Sequence, residues 1–178
     1  MIIGFVGFHS SGKTDLCQYL EKKFGWRWFS KRLFLREWSG MEENESAWTE
    51  WYRNLYRTLG GYEIMHHLLK RVMYSPRSDN VVLIDAVHTP EEWRAIKEVD
   101  PNSLLVTVYA PKESRRQRSS PEDFVLDLKR ERHWHSEIDG QCLLSQVEWA
   151  FCGIATPELR ALEAEALFNH LTLVGKIG

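Results

Sequence analysis

The stretch Gly7-Phe8-His9-Ser10-Ser11-Gly12-Lys13-Thr14 decides the fold of this 178-residue chain. A glycine, four residues, then glycine, lysine and a serine or threonine form the pattern of a phosphate-binding loop, or P-loop. The apolar run Ile2–Val6 before it predicts a buried strand, and Lys13–Phe24 after it predicts a helix. A P-loop lies between a strand and a helix, so the surroundings support the motif.

The motif predicts binding of a nucleoside triphosphate with magnesium. Glycines let the backbone curl so that its N–H groups point at phosphate oxygens, and the helix N-terminus adds partial positive charge. We expect Lys13 to reach the β- and γ-phosphates, and the Thr14 hydroxyl to ligate Mg²⁺. The predicted nucleotide-binding residues of this segment are Gly7, His9, Ser10, Ser11, Gly12, Lys13, Thr14 and Asp15.

The rest of the chain alternates apolar strands with helices. Strongly apolar strands between helices predict a three-layer α/β P-loop fold, a five-stranded parallel sheet with helices on both faces. The length predicts a single domain spanning residues 1–178. Besides the strand and helix around the P-loop, the predicted strands are 26–29, 81–84, 104–109 and 147–152. The predicted helical segments are 32–74, broken by glycines at 40, 60 and 61, a segment from 90, 111–135, and 157–171.

Composition limits the partners. Apolar residues make up 43% and charged residues 27% of the chain, and the formal net charge is −2. The chain has no overall basic field, which argues against nucleic acid as the main partner. The N-terminus lacks the features of a signal peptide, and no apolar run reaches membrane length. Three cysteines without metal-ligand spacing fit reduced thiols, so we expect a cytoplasmic protein without a membrane partner.

Missing motifs narrow the class of P-loop protein. The chain contains neither the Asp-x-x-Gly nor the Asn-Lys-x-Asp motif of common GTPases. It also lacks the Leu-Ser-Gly-Gly-Gln motif of transporters and the Asp-Glu pair of helicases. These absences favour a small kinase.

Other segments resemble the nucleoside monophosphate kinase and dephospho-CoA kinase group of P-loop kinases. The resemblance covers nearly the whole chain, and its segments gain weight from their order and spacing. Besides the P-loop, they are Ser30-x₅-Arg36-Glu37, Ile84-Asp85-Ala86-Val87-His88, Pro111-x-Glu113-x-Arg115-x₂-Arg118, residues 124–134, and Glu148-Trp149-x-Phe151-x-Gly153-x-Ala155-Thr156.

The resemblance implies where the substrates bind. Residues 31–75 would form a helical insertion that binds the acceptor, and residues 111–135 a short lid. Arg115 is implied near the adenine and Arg118 near the phosphates. The implied residues of the loop that meets the adenine are Gly153 and Ala155, and the implied acceptor-binding residues are Arg36, Leu33 and His88.

Four residues are predicted to be catalytic: Lys13, Asp85, Arg118 and Arg130. Asp85 follows four apolar residues and so marks the carboxyl end of a strand, where ligands of open α/β sheets bind. Its carboxylate could hold Mg²⁺ with Thr14 or orient the attacking oxygen, whereas a helix cap or a loop ion pair is the alternative. Guanidinium groups suit the charge on a transferring phosphoryl group, and Arg130 matches the returning lid helix.

The favoured hypothesis is an ATP- and Mg²⁺-dependent phosphotransferase whose acceptor is small, nucleotide-like and carries a phosphate or a hydroxyl. The alternatives are a regulatory nucleotide-binding module with little turnover and a kinase of nucleic-acid ends. Leu33 and His88 replace an Asp and an Arg of the resembled group, which predicts a bulkier, partly apolar acceptor and weak activity on nucleoside monophosphates. The acceptor itself, ATP or GTP as donor, and the oligomeric state stay open.

Overall fold

The structure, a computed structural model, describes residues 1–41, 45–74, 81–136 and 140–177. Strands and helices alternate along these ranges. In chain order the elements are β1 (Ile2–Val6), α1 (Lys13–Phe24), β2 (Arg27–Ser30), α2 (Lys31–Ser39), α3 (Glu45–Met73), β3 (Val82–Asp85), α4 (Pro90–Val99), β4 (Leu104–Tyr109), α5 (Lys112–Gln117), α6 (Pro121–Ser136), a 3₁₀ helix (Gly140–Gln146), β5 (Trp149–Cys152) and α7 (Pro157–Leu173).

All strand pairs of the sheet are parallel, in the order β2-β3-β1-β4-β5. The first strand therefore lies at the centre, with the P-loop at its carboxyl end. Phe5 is in register with Asp85 of β3, and Val6 with Thr107 of β4. Residues that follow β3 thus lie beside the P-loop because of strand register.

Two apolar clusters cover the two faces of the sheet. Ile2 and Val6 of β1 join the cluster formed with α3, α4 and the 3₁₀ helix. Ile3 and Phe5 join the cluster formed with α1 and α7. Alternate residues of one strand are buried on opposite faces, which explains the uninterrupted apolar run. Burying one such side chain stabilises the fold by roughly 1.5–3 kcal/mol. The predicted three-layer fold is confirmed.

Glycines divide the helical insertion much as the sequence predicted. Gly40 ends α2 in the left-handed region (φ 64°), and Gly60 breaks α3 with φ 76°. Gly61 lies inside the second half of α3, where an added Cβ would come within 2.4 Å of the Thr89 hydroxyl oxygen. This close approach seats α3 against the start of α4.

Other boundaries differ by one or two residues from those predicted. The strand β2 begins at Arg27 rather than Trp26, and β5 begins at Trp149 rather than at residue 147. Strand pairing sets these limits, since Arg27 pairs with Val82 and Trp149 with Val106. The 3₁₀ helix was not predicted, and the loop predicted at 76–80 lies outside the described residues. Within those residues, no helix combines the length and apolar character needed to cross a membrane.

Candidate nucleotide site

The P-loop backbone adopts conformations that its glycines permit. Gly7 has φ 143°, and an added Cβ would lie 2.7 Å from the Val108 carbonyl oxygen. Gly12, at φ 93°, stands immediately before α1, and its carbonyl accepts the first helical hydrogen bond from Leu16. Ser10 also takes a left-handed conformation (φ 57°), which is uncommon for a residue with a side chain. The segment therefore curls between β1 and α1 as the motif requires.

Lys13 reaches back across this curl. Its ammonium donates to the Gly7 carbonyl oxygen at 2.9 Å and to the Phe8 carbonyl oxygen at 2.6 Å. Burial lowers the pKa of Lys13 from its usual value, and the nearby Asp85 carboxylate opposes that shift. The structure therefore places a partly desolvated cation inside the loop, where phosphate oxygens could replace the carbonyls as acceptors.

Thr14 and Asp85 meet at the mouth of the loop. The Thr14 hydroxyl donates to Asp85 Oδ2 at 2.7 Å, although 71 positions separate the two residues in sequence. Asp85 is only 8% exposed. A hydroxyl and a carboxylate are hard oxygen ligands, and Mg²⁺ uses one or two protein oxygens together with substrate phosphates. The two residues predicted to hold Mg²⁺ therefore fit that ion in chemistry and position.

The loop after β5 packs directly on the P-loop. A Cβ on Gly153 would lie 2.0 Å from the Ser11 carbonyl oxygen and 3.0 Å from the Tyr109 carbonyl oxygen. Only a glycine can make this approach without moving backbone. The Ala155 amide donates to the Cys152 carbonyl and so turns the chain towards α7. The segment predicted to meet the adenine therefore borders the P-loop.

The two predicted lid arginines occupy different surroundings. Arg118 is exposed, and its Nη2 donates to the Gly153 carbonyl at 2.7 Å. Its Nη1 would be 3.5 Å from a Cβ added to Gly12. Arg118 therefore lies where the P-loop meets the loop after β5, beside both predicted nucleotide-binding segments.

Arg115 is buried and engaged within the protein. Its guanidinium pairs with Glu131, donates to the Ala110 carbonyl at 3.2 Å, and lies 4.8 Å from the centroid of the Phe8 ring. These contacts join α5, α6 and the P-loop. An adenine contact by Arg115 stays a prediction. The side chain of Arg130 lies outside the described residues.

Asp127 of α6 was not predicted, yet it reaches the P-loop. Its Oδ2 accepts a hydrogen bond from the Ser10 hydroxyl at 2.8 Å, and its Oδ1 lies 3.9 Å from His9 Nδ1. Asp15, by contrast, is exposed in the first turn of α1. The spacing could have revealed Asp127, because it follows the apolar Phe124 by three residues and so shares its inward helix face.

A polar network lies at the carboxyl ends of β2 and β3, where the acceptor is expected. The Lys31 ammonium donates to both carboxylate oxygens of Glu92, at 2.7 and 2.8 Å, and to the Tyr56 hydroxyl at 3.0 Å. It also lies 3.1 Å from His88 Nδ1, and Tyr52 Oη lies 3.0 Å from the same nitrogen. Among the predicted acceptor residues, His88 therefore joins this network.

Charge compensation explains how Lys31 can be buried. Lys31 is 2% exposed and Glu92 is fully buried. Burial lowers the pKa of Lys31, and the Glu92 carboxylate opposes that shift. Sequence reasoning missed both residues because a lysine opening a helix and a glutamate in the first turn of another are common surface residues.

The remaining acceptor candidates lie on α2. The Leu33 amide donates to the Ser30 cap, and the Leu33 side chain is 49% exposed. Arg36 is partly buried one turn later, and its carbonyl accepts from the Gly40 amide. Contact of either side chain with an acceptor stays a prediction.

Comparisons with known proteins identify the fold. No family model matches the chain, and no curated protein does. Shikimate kinase from Acinetobacter baumannii, solved in complex with shikimate, matches with a TM-score of 0.62 and 15% identity, covering 99% of this chain and 95% of that one. The shikimate kinase of Aquifex aeolicus gives a TM-score of 0.57 at 16% identity, covering both chains completely. That of Bacteroides thetaiotaomicron gives 0.64 at 13%, covering 97% of this chain and 98% of that one. At these identities the likeness shows the fold alone, which this chain shares with the three shikimate kinases.

Proposed function

We propose that this protein is an ATP- and Mg²⁺-dependent phosphotransferase acting on a small acceptor. The observation that carries the proposal is the contact of Thr14 with Asp85 at 2.7 Å, beside the Lys13 ammonium in the P-loop. Thr14 and Asp85 would hold Mg²⁺, which would supply positive charge to offset the negative charge of the nucleotide phosphates. The fold shared with the shikimate kinases supports the same reaction class.

The chain's own groups suit phosphoryl transfer, which depends mainly on positioning and charge. Lys13 would exchange its two loop carbonyls for phosphate oxygens. The Arg118 guanidinium lies beside Gly12 and Gly153. It would help to hold a nucleotide bound between the P-loop and the loop after β5. The acceptor oxygen then bonds to the γ-phosphorus while the bond to the departing ADP oxygen breaks, and the acceptor proton leaves to solvent.

We infer that the acceptor is partly apolar where it meets α2 and α3. The Lys31 charge is matched by Glu92, so this buried ammonium is already compensated without an anionic substrate. Aromatic rings continue from the network along α3: the ring centroids of Tyr52 and Tyr56 are 4.7 Å apart, and those of Trp48 and Trp51 are 5.2 Å apart. These features favour a hydroxyl-bearing acceptor with an apolar part over a plain nucleoside monophosphate.

An assay of ADP release tests the proposal. Each of ATP and GTP is combined with nucleoside monophosphates, dephospho-CoA and shikimate, with Mg²⁺ or with EDTA. We expect turnover that needs both Mg²⁺ and an acceptor. A kcat/KM above roughly 10⁴ M⁻¹s⁻¹ on a nucleoside monophosphate would contradict the acceptor inference.

A second candidate is a nucleotide-binding module with little turnover. Arg115 favours it, because the guanidinium is held by Glu131 and the Ala110 carbonyl rather than facing solvent. Under this reading ATP binds, but no acceptor raises ADP release above slow hydrolysis. The same assay, read beside ATP titration, separates the two candidates.

A further inference from the structure

The tip of the P-loop is in contact with a carboxylate from the lid. Asp127 is 5% exposed, and it accepts from the Ser10 hydroxyl. The Ser10 hydroxyl oxygen also lies 3.0 Å from that of Ser119, in the connection between α5 and α6. We call these three residues the tip contact. It joins the phosphate-binding loop to both lid helices through one serine side chain.

A buried carboxylate at this place has an electrostatic explanation. Burying an ionised carboxylate is costly unless opposite charge or hydrogen bonds compensate it. Burial lowers the pKa of Lys13, and the Asp127 carboxylate is among the negative charges that oppose this shift, so the two groups attract each other. His9 Nδ1 lies 3.9 Å from Oδ1 of Asp127. Asp127 therefore supplies negative charge to a loop whose Lys13, backbone amides and helix N-terminus favour an anion.

A triphosphate bound to the loop would bring several negative charges next to this carboxylate. Like charges a few ångströms apart repel strongly where water is largely excluded. We propose that Asp127 is an internal anion that holds α6 on the nucleotide-free P-loop and withdraws when the triphosphate binds, while Arg118 at the end of α5 stays beside the loop. This inference rests on the proposed nucleotide binding and adds an autoinhibitory contact to it.

The conformation of Ser10 gives a way to break the contact without disturbing the loop. Its φ of 57° is one that glycine adopts freely and other residues adopt at a cost. Ser10→Gly therefore removes the hydroxyl that links the loop to Ser119 and Asp127 while suiting the backbone. Asp127→Asn keeps the side-chain shape and removes only the charge.

Two measurements on the full chain test the inference. The first is calorimetric titration with ATP and Mg²⁺ of the wild type, Asp127→Asn, Ser10→Gly and a control, Asp123→Asn. Asp123 is exposed one turn earlier on α6, and among the described residues its side-chain hydrogen bond is to Ser120 at the start of that helix. We expect roughly tenfold tighter binding in Asp127→Asn and Ser10→Gly, because a competing charge or its anchor is gone. The control should stay within about twofold of the wild type.

The second measurement is amide hydrogen exchange across α6. Without nucleotide, the α6 amides of the Ser10→Gly variant should exchange several-fold faster than those of the wild type, because α6 has lost its hydrogen bond to the P-loop. Adding ATP and Mg²⁺ to the wild type should also accelerate exchange there.

The two measurements distinguish failure of this inference from failure of the proposed function on which it rests. If the wild type binds ATP but Asp127→Asn binds it equally or less tightly, the internal-anion inference is overturned and nucleotide binding stands. Slower α6 exchange on adding ATP would likewise overturn it. If neither the wild type nor any variant binds nucleotide, the proposed function fails as well.

Discussion

The Thr14 hydroxyl donates to the Asp85 carboxylate across 2.7 Å and so ties the first turn of α1 to the carboxyl end of β3. Strand register sets this meeting, since Asp85 stands beside Phe5 in the paired strands, two residues before the P-loop begins. The strand pairing and the start of α1 thus bring both oxygens together before any ligand arrives. Such preorganisation is how proteins stabilise developing charge most effectively.

Replacing Asp85 should therefore affect turnover more than nucleotide affinity. We expect Asp85→Asn to lower kcat about 10²- to 10³-fold while ATP affinity changes only a few-fold, because interactions made mainly in the transition state appear in kcat. Steady-state kinetics beside calorimetric titration gives both values. A near-wild-type kcat in this variant would show that Asp85 takes no part in turnover and only supports Thr14 structurally.

Lys13 should be needed for binding but not for folding. Among the described residues, Lys13 Nζ donates hydrogen bonds to P-loop carbonyls alone. Lys13→Ala should therefore keep the fold and weaken ATP-Mg²⁺ binding at least about a hundredfold. Lys22→Ala, on the exposed side of the same helix, serves as the matched control. Titration and circular dichroism measure the two effects. Unchanged affinity in a natively folded Lys13→Ala would contradict phosphate binding by this loop.

Gly153→Ala should disturb the nucleotide site from outside the P-loop. The new methyl group would overlap the Ser11 carbonyl oxygen, and only backbone movement can relieve it. We expect a loss of roughly 1–3 kcal/mol in the free energy of unfolding and weaker ATP binding, because the loop must shift. Gly25→Ala is the control: apart from the two chain neighbours, no described residue would lie within 4 Å of the added Cβ, although φ is 72°.

For that control we expect about 1 kcal/mol of backbone strain and unchanged ATP affinity. Urea denaturation and titration compare the two variants. Equal ATP affinity in Gly153→Ala and the wild type would show that the loop after β5 moves independently of the P-loop.

The buried network predicts an alkaline loss of stability. Burial, and then the Glu92 carboxylate, raise the pKa of Tyr52 far above its usual value. In the unfolded chain this phenol releases its proton near pH 10. Above about that pH the folded state holds the extra proton, so the free energy of unfolding falls by about 1.4 kcal/mol per pH unit from this group.

Tyr52→Phe should remove that share of the slope, at a cost of about 1 kcal/mol near neutrality for the lost hydroxyl contact with His88. Tyr109→Phe is the control, because Tyr109 is 61% exposed and meets water in both states. Urea denaturation between pH 9 and about pH 11.5 gives the slopes. Parallel profiles for Tyr52→Phe and the wild type would contradict the assignment.

The fold and the centre of the site follow from local sequence patterns. The P-loop carries its own signature, and the apolar strands around it predict a parallel sheet whatever their distant partners are. Asp85 could be predicted because the four apolar residues before it place it at the carboxyl end of a strand. Ligands of open α/β sheets bind at that edge of the sheet.

The residues that sequence reasoning missed depend on distant pairing. Lys31 and Glu92 stand 61 positions apart, and nothing near either residue distinguishes it from a surface charge. Arg115 and Arg118 were both predicted, but their different surroundings were not: they lie three residues apart on one basic stretch, yet Arg115 is buried and Arg118 is exposed. The helix packing that separates them is a property of the assembled lid and P-loop, which periodicity alone does not encode.

The Lys31–Glu92 pair constrains how this sequence can change over evolutionary time. Removing one partner of a buried ion pair leaves an uncompensated charge and costs about 3–5 kcal/mol, whereas replacing both with apolar residues can be neutral. A lineage changing one position first would pass through a poorly folding intermediate. Relatives should therefore keep both residues or change both together, and variation at position 31 should mirror variation at position 92.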